Sequence, residues 1–157
     1  MRLSVHTDYS IRVLIYLALF NEKLVTIEDI AKSYAISKNH LTKVVHNLVK
    51  SGFVTSIRGR NGGIKLAREP QDINISHVVL KAEEDFNMVE CLNSQTNQCV
   101  ITGFCKLGGM FSKALDAYIA SLAEYTLFDL VKSPLPMRKA LQKNANYIET
   151  VQLESYT

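Results

Sequence analysis

Cys91, Cys99 and Cys105 are the only cysteines in the chain, with seven and then five residues between them. Three soft thiolates this close, in a segment with little apolar patterning, suit an iron–sulfur cluster or a zinc ion. An odd count leaves no complete disulfide pairing, and a four-coordinate centre needs one further ligand from elsewhere. Two metal-free readings compete. A free cysteine packs well as a small core hydrophobe, and nearby thiols can form a redox sensor in which one is oxidised and another resolves it.

Other chemistry is sparse. His40 and His46 are six residues apart, a spacing that does not put them on one helical face as i, i+4 would. No G-x-x-x-x-G-K-[ST] phosphate loop is present, and no Ser/His/Asp spacing suggests a nucleophile. An enzyme is the weakest reading.

The 157 residues, 47% hydrophobic and 21% charged, suit a soluble chain of one domain or a small module plus a helical unit. The longest apolar run, Val13 to Phe20, is far short of the roughly 20 residues that span a bilayer. The N-terminus does not read as a signal peptide, which with the clustered thiols favours a reducing cytoplasm. The net charge of +3 conceals a split, with +6 on residues 1–70 and −3 on residues 71–157. A basic N-terminal half is the footprint of a nucleic-acid binder.

Periodicity supplies the elements. Thr7 can cap a first helix with Ile11, Leu14, Ile15 and Ala18 as its buried stripe. Thr26 with Asp29 predicts a second, with Ile27, Ile30, Ala31 and Tyr34 on one face, and Ala35-Ile36 turns the chain. Ser37 then caps a third, with Leu41, Val44, Val45 and Leu48 inward and its end near Gly52. Two β-type runs, Phe53–Ile57 and Ile64–Ala67, flank a glycine-rich tip at 58–63, and Pro70 closes the unit. Ser76 caps a short helix carrying Val78, Val79 and Ala82. The acidic stretch 83–85 and the polar stretch 93–98 read as loop. After Gly108-Gly109 a long helix presents Leu107, Met110, Phe111, Ala114, Leu115, Tyr118, Ile119 and Leu122 as one apolar face. Thr126 with Asp129 caps a last short helix, and Pro134 and Pro136 are expected to end regular structure, leaving a poorly ordered tail to Thr157.

Helix, helix, turn, helix, hairpin is the order of a winged helix-turn-helix, whose second motif helix enters the DNA major groove. The fold class is mainly α with a small β-hairpin wing. Outward on the third helix stand Lys38, Asn39, His40, Thr42, Lys43, His46, Asn47 and Lys50, with no acid among them. Lys43 and Lys50 suit phosphates, while Asn39, His40 and Thr42 suit base edges. At the hairpin tip Arg58 and Arg60, with Asn61, suit the minor groove. An ordinary solvated face does not explain why helix and tip are both purely basic.

The opening Met1-Arg2-Leu3-Ser4 with Thr7-Asp8-Tyr9, the tip Gly59-Arg60-Asn61-Gly62-Gly63, the cysteine trio and Tyr125-Thr126-Leu127-Phe128-Asp129-Leu130-Val131 together resemble the bacterial IscR/NsrR-type iron–sulfur transcription regulators. The resemblance covers about residues 1–132 and is strongest to the nitric-oxide-sensing, NsrR-type repressors. It implies a cytoplasmic homodimer joined through the long helix and bound to a palindromic operator in double-stranded DNA. Each subunit would hold one 4Fe-4S or 2Fe-2S cluster through Cys91, Cys99 and Cys105. In IscR-like members a histidine three residues beyond the third cysteine completes the set, and here that residue is Gly108. NsrR-like members are associated instead with an aspartate near the partner's N-terminus, which corresponds to Asp8. On residue type alone, Asp8 suits a first helical turn. The implied function is repression that ends when nitric oxide nitrosylates the cluster, with Arg12 pairing to Asp8 once the cluster is absent. The implied organisation is a DNA-binding unit at 1–82, a cluster loop at 83–106, a dimerisation helix with a short following helix at 107–132, and the tail at 133–157. Redox-sensing control of cluster biogenesis, as in IscR-like members, is the alternative within the family. A zinc- or thiol-based regulator is the alternative outside it.

Overall fold

The computed structural model describes residues 3–154; Met1 and Arg2 of the opening motif and residues 155–157 of the tail lie outside them. Helix α1 (Val5–Leu19) is the hub. Its N-cap is Ser4, whose Oγ accepts from the Thr7 N–H at 3.1 Å. Thr7, the expected cap, is instead a fully buried residue of the first turn. Of the expected stripe only Leu14 is fully buried; Ile11, Ile15 and Ala18 are half-buried, while Val13, Tyr16, Leu17 and Leu19 are buried. A helix packed on several sides has no single inner stripe, and α1 touches elements before, beside and after the wing.

Helix α2 (Ile27–Tyr34) opens with a complete capping box, Asp29 N–H on Thr26 Oγ1 at 3.1 Å and Thr26 N–H on Asp29 Oδ2 at 3.0 Å. It ends at Ala35 in the left-handed region, φ 54°, the one non-glycine residue with positive φ among those described. Helix α3 (Lys38–Lys50) then buries Leu41, Val44, Val45 and Leu48. Ser37 stands before it but makes no cap hydrogen bond with its side chain.

Strands β1 (Val54–Ile57) and β2 (Gly63–Leu66) pair antiparallel from Val54 opposite Leu66 to Ile57 opposite Gly63. The hairpin is pinned to the helices by Val25, which exchanges backbone hydrogen bonds of 3.1 and 2.8 Å with Ile64. Gly63 permits that approach: a Cβ there would lie 2.8 Å from the Val25 carbonyl oxygen.

Helix α4 (Ile75–Ala82) is capped by Asn74, not Ser76; Asn74 Oδ1 accepts from the Ser76 N–H at 3.0 Å. Asn74 Nδ2 also donates to Ala123 O at 2.8 Å, tying α4 to the end of α5 (Leu107–Ala123). Short α6 (Leu127–Leu130) has its own capping box, Thr126 with Asp129, and seats fully buried Leu127 in the main core.

The expected poorly ordered tail is corrected for residues 134–154, which form helix α7 (Pro134–Glu154). Proline blocks a helix interior but not a first turn, where its missing N–H has no partner to lose, and Pro134 and Pro136 both lie in that turn. Inside α7, Leu141 is buried and Asn144 Nδ2 donates to Ser33 O of α2 at 2.9 Å. Arg138 pairs with Glu22 at 2.7 Å and lies over the Phe20 ring at 5.0 Å.

Candidate functional site

Every outward residue expected to meet DNA is exposed: Lys38, Asn39, His40, Thr42, Lys43, His46 and Lys50 on α3, and Arg58, Arg60 and Asn61 at the wing tip. Their availability differs. Lys38 Nζ is held by Glu28 at 2.8 Å, and Thr42 Oγ1 donates to Lys38 O at 2.9 Å. His40 leans on Tyr9, with ring centroids 6.5 Å apart. Lys43, Lys50, Arg58 and Arg60 make no ion pair among the described residues, so their charge is free for phosphate. Asn47, also outward, meets His6 of α1.

The three cysteines rim one hollow of about 380 Å³ at the head of α5. Cys91 sits in a 3-10 turn, Glu90–Leu92; Cys99 is held by Asn97 Oδ1, which accepts its N–H at 3.1 Å. Thr102 Oγ1 donates to Cys99 O at 2.8 Å, closing the turn. Cys105 Sγ accepts the Leu107 N–H at 3.4 Å, the first amide of α5. Cys91 and Cys99 are half-buried and Cys105 is exposed.

Among the described residues no three Cys, His, Asp or Glu side chains stand close enough to hold one metal ion. The three thiols are spread around the hollow. Position 108 faces that hollow: a Cβ on Gly108 would lie 3.3 Å from Cys91 Sγ. A ligating side chain there would be within reach of the thiols, and glycine leaves the place open.

Asp8 is not among the residues lining the hollow. Within one chain it pairs with Arg12, Oδ2 to Nη2 at 2.9 Å. Arg12 also lies 6.0 Å from the Tyr9 ring and 5.8 Å from that of Tyr34. Burial pushes the Tyr34 phenol up to about 12, against the pull of the Arg12 charge.

Helix α5 buries none of its own residues, although its apolar face runs its whole length. Val100 and Phe104 between the cysteines are each 93% exposed, and Met110 beyond them is 67% exposed.

Three features escaped the sequence reading: the His6–Asn47 contact, the Ser4–Glu83 contact and the packing of α7. Polar pairs separated by 41 and 79 residues leave no periodic signal. The helical character of α7 was masked by its two prolines.

The family model described as Rrf2, iron-dependent transcriptional regulator, matches residues 3–133. The HTH-type transcriptional regulator NsrR of Bacillus licheniformis is 51% identical over 142 residues, 90% of this chain and 99% of the relative. The protein of the same name from Bacillus subtilis is 50% identical over 143 residues, covering 90% and 98%. Among solved structures, T. potens IscR superposes with a TM-score of 0.67 at 26% identity, covering 84% of this chain and 87% of that one. CymR, the global cysteine regulator of B. subtilis, gives 0.63 at 25% identity, covering 84% and 97%.

Proposed function

The chain belongs to the Rrf2 family of transcriptional regulators, and on that premise we propose that it represses its operator until nitric oxide reaches an iron–sulfur cluster. It is a DNA-binding regulator and not an enzyme. The observation that carries the sensing half of this reading is the single hollow rimmed by all three cysteines, with glycine at position 108.

Cys91, Cys99 and Cys105 would hold the cluster, and Asp8 of the partner subunit would complete the ligand set. When bound, the cluster supplies an iron atom that can take a small diatomic ligand where its protein ligand is weakest. A carboxylate oxygen is a harder, more exchangeable partner for iron than thiolate, which makes Asp8 that weakest ligand. Once free, Asp8 has a resting partner one turn along the same helix in Arg12, at 2.9 Å. That pair is worth only ~0.2–0.5 kcal/mol on a helix surface, so it tunes the switch without driving it.

The apolar face of α5, exposed at Leu107 and Met110 and nowhere fully buried, supports pairing of two copies along this helix. Two copies present two recognition helices to successive turns of a palindromic operator, and loss of the Asp8 link changes their separation. Among the described residues no helix is long and apolar enough to cross a membrane, which fits action on DNA in the cytoplasm.

Anaerobically prepared protein should be brown, carry iron and acid-labile sulfide in proportion to the chain, and retard an operator duplex until nitric oxide is added. Zinc in place of iron, or operator binding indifferent to nitric oxide, overturns the proposal.

A further inference from the structure

The first turn of α1 is gripped from two sides. On one side the Ser4 N–H donates to Glu83 Oε1 at 2.8 Å, where α4 ends and the cysteine-bearing segment begins. On the other, Asn47 Nδ2 of α3 lies 3.1 Å from His6 Nε2, within hydrogen-bond distance. Asp8 belongs to the same turn.

The rest of the α1–α3 contact is apolar, with Leu41, Val44, Val45 and Leu48 in one core with Val13, Leu14 and Leu17. Apolar burial is non-directional and does not by itself fix where one helix stands along another. A hydrogen bond is directional and fails within a few tenths of an ångström beyond its range. A shift of the Asp8-bearing turn by ~1 Å would break the His6–Asn47 bond while leaving the core contacts made.

We propose that His6 and Asn47 are positioning residues whose hydrogen bond conveys the placement of the Asp8-bearing turn to the recognition helix. Asn47 then orients α3 and reads no base, although it points outward with the DNA-facing set. The inference rests on the reading of α3 as the DNA-reading helix and of Asp8 as the exchangeable ligand. The surroundings set its strength: His6 and Asn47 share an open hollow of about 410 Å³ with Glu83, Glu84 and Asp85. Lys81 of α4 stands on a neighbouring face of the pair. A hydrogen bond that water can reach is worth a roughly three- to tenfold change in an equilibrium constant.

The test compares wild type, His6→Ala, Asn47→Ala and the double variant. The probe is a DNA duplex selected by the wild-type protein from a random-sequence pool. Affinity is measured on cluster-loaded protein before and after nitric oxide, and amide exchange of residues 38–50 is measured on each metal-free chain without DNA. Each single variant should weaken loaded-form binding roughly three- to tenfold, and the double variant should be no worse than either. The ratio of affinities before and after nitric oxide should shrink in each variant, exchange in α3 should rise equally in all three, and His6→Gln should restore part of the loss. Additive single effects, unchanged exchange, or an Asn47→Ala protein with altered base preference would each overturn the proposal. A wild type that takes up no iron or ignores nitric oxide would defeat the proposed function instead, while the exchange measurement still decides the role of the pair.

Discussion

Asp8 Oδ2 lies 2.9 Å from Arg12 Nη2, one turn along α1, and both side chains are nearly half exposed. An ion pair so open to water holds Asp8 only loosely. Asp8→Ala should therefore change stability to urea by no more than ~0.5 kcal/mol. The visible circular dichroism of the iron-loaded protein should change, and its response to nitric oxide should weaken. Identical spectra and identical release from DNA would remove Asp8 from the ligand set.

The hollow at the head of α5 is sensitive to added volume. A Cβ on Gly108 would come within 3.3 Å of Cys91 Sγ, tighter than an ordinary contact. Gly108→Ala should lower iron loading while leaving the fold intact, because the position lies at a half-exposed surface and touches no core residue. Cys99→Ser should abolish loading. Full iron content in the serine variant would sink the three-cysteine site.

Free cations and engaged ones should behave differently on DNA. Lys43→Ala, Lys50→Ala, Arg58→Ala and Arg60→Ala should each weaken binding across all sequences and reduce the salt slope by about 1. Lys38→Ala should do less, because Glu28 holds its ammonium at 2.8 Å. Titrations at several salt concentrations separate these outcomes.

Ala35 joins the two helices of the DNA-binding motif at φ 54°. A left-handed conformation costs an L-residue ~1–2 kcal/mol, partly offset by the greater unfolded-state entropy of glycine. Ala35→Gly should stabilise the chain by about 0.5–1 kcal/mol without changing DNA affinity. A destabilised variant in thermal unfolding would contradict this account of the turn.

Docking of α7 should depend on pH as well as packing. Arg138 holds the Glu22 carboxyl below its ordinary value, so the ion pair contributes above the usual carboxylate range and is lost as pH falls through the lowered one. Exchange of α7 amides should therefore rise on acidification in wild type more than in Glu22→Gln. Leu141→Ala should cost about 2 kcal/mol through the cavity it leaves. Undiminished protection of α7 in that variant would show that the helix is held elsewhere.

Legibility varied with how local the cause was. The four inward residues of α3 could be read because one stripe faces one core, with polar residues at every other position except exposed Val49. The same method misplaced the stripe of α1, a helix enclosed on several sides. Capping was half legible. Thr26 and Asp29 satisfy each other within three residues, whereas the choice of Ser4 over Thr7, or Asn74 over Ser76, depends on what the helix start packs against.

By itself the sequence determined the winged-helix order, the basic outer face of the third helix and the three clustered cysteines, because residue type and short spacing carry those directly. Only the tertiary structure decided that the thiols share one hollow facing Gly108, that α7 braces α2, and that His6 meets Asn47. Periodicity records which face of a helix is buried but not against which distant polar group that helix comes to rest. That outcome belongs to the packing of the whole chain.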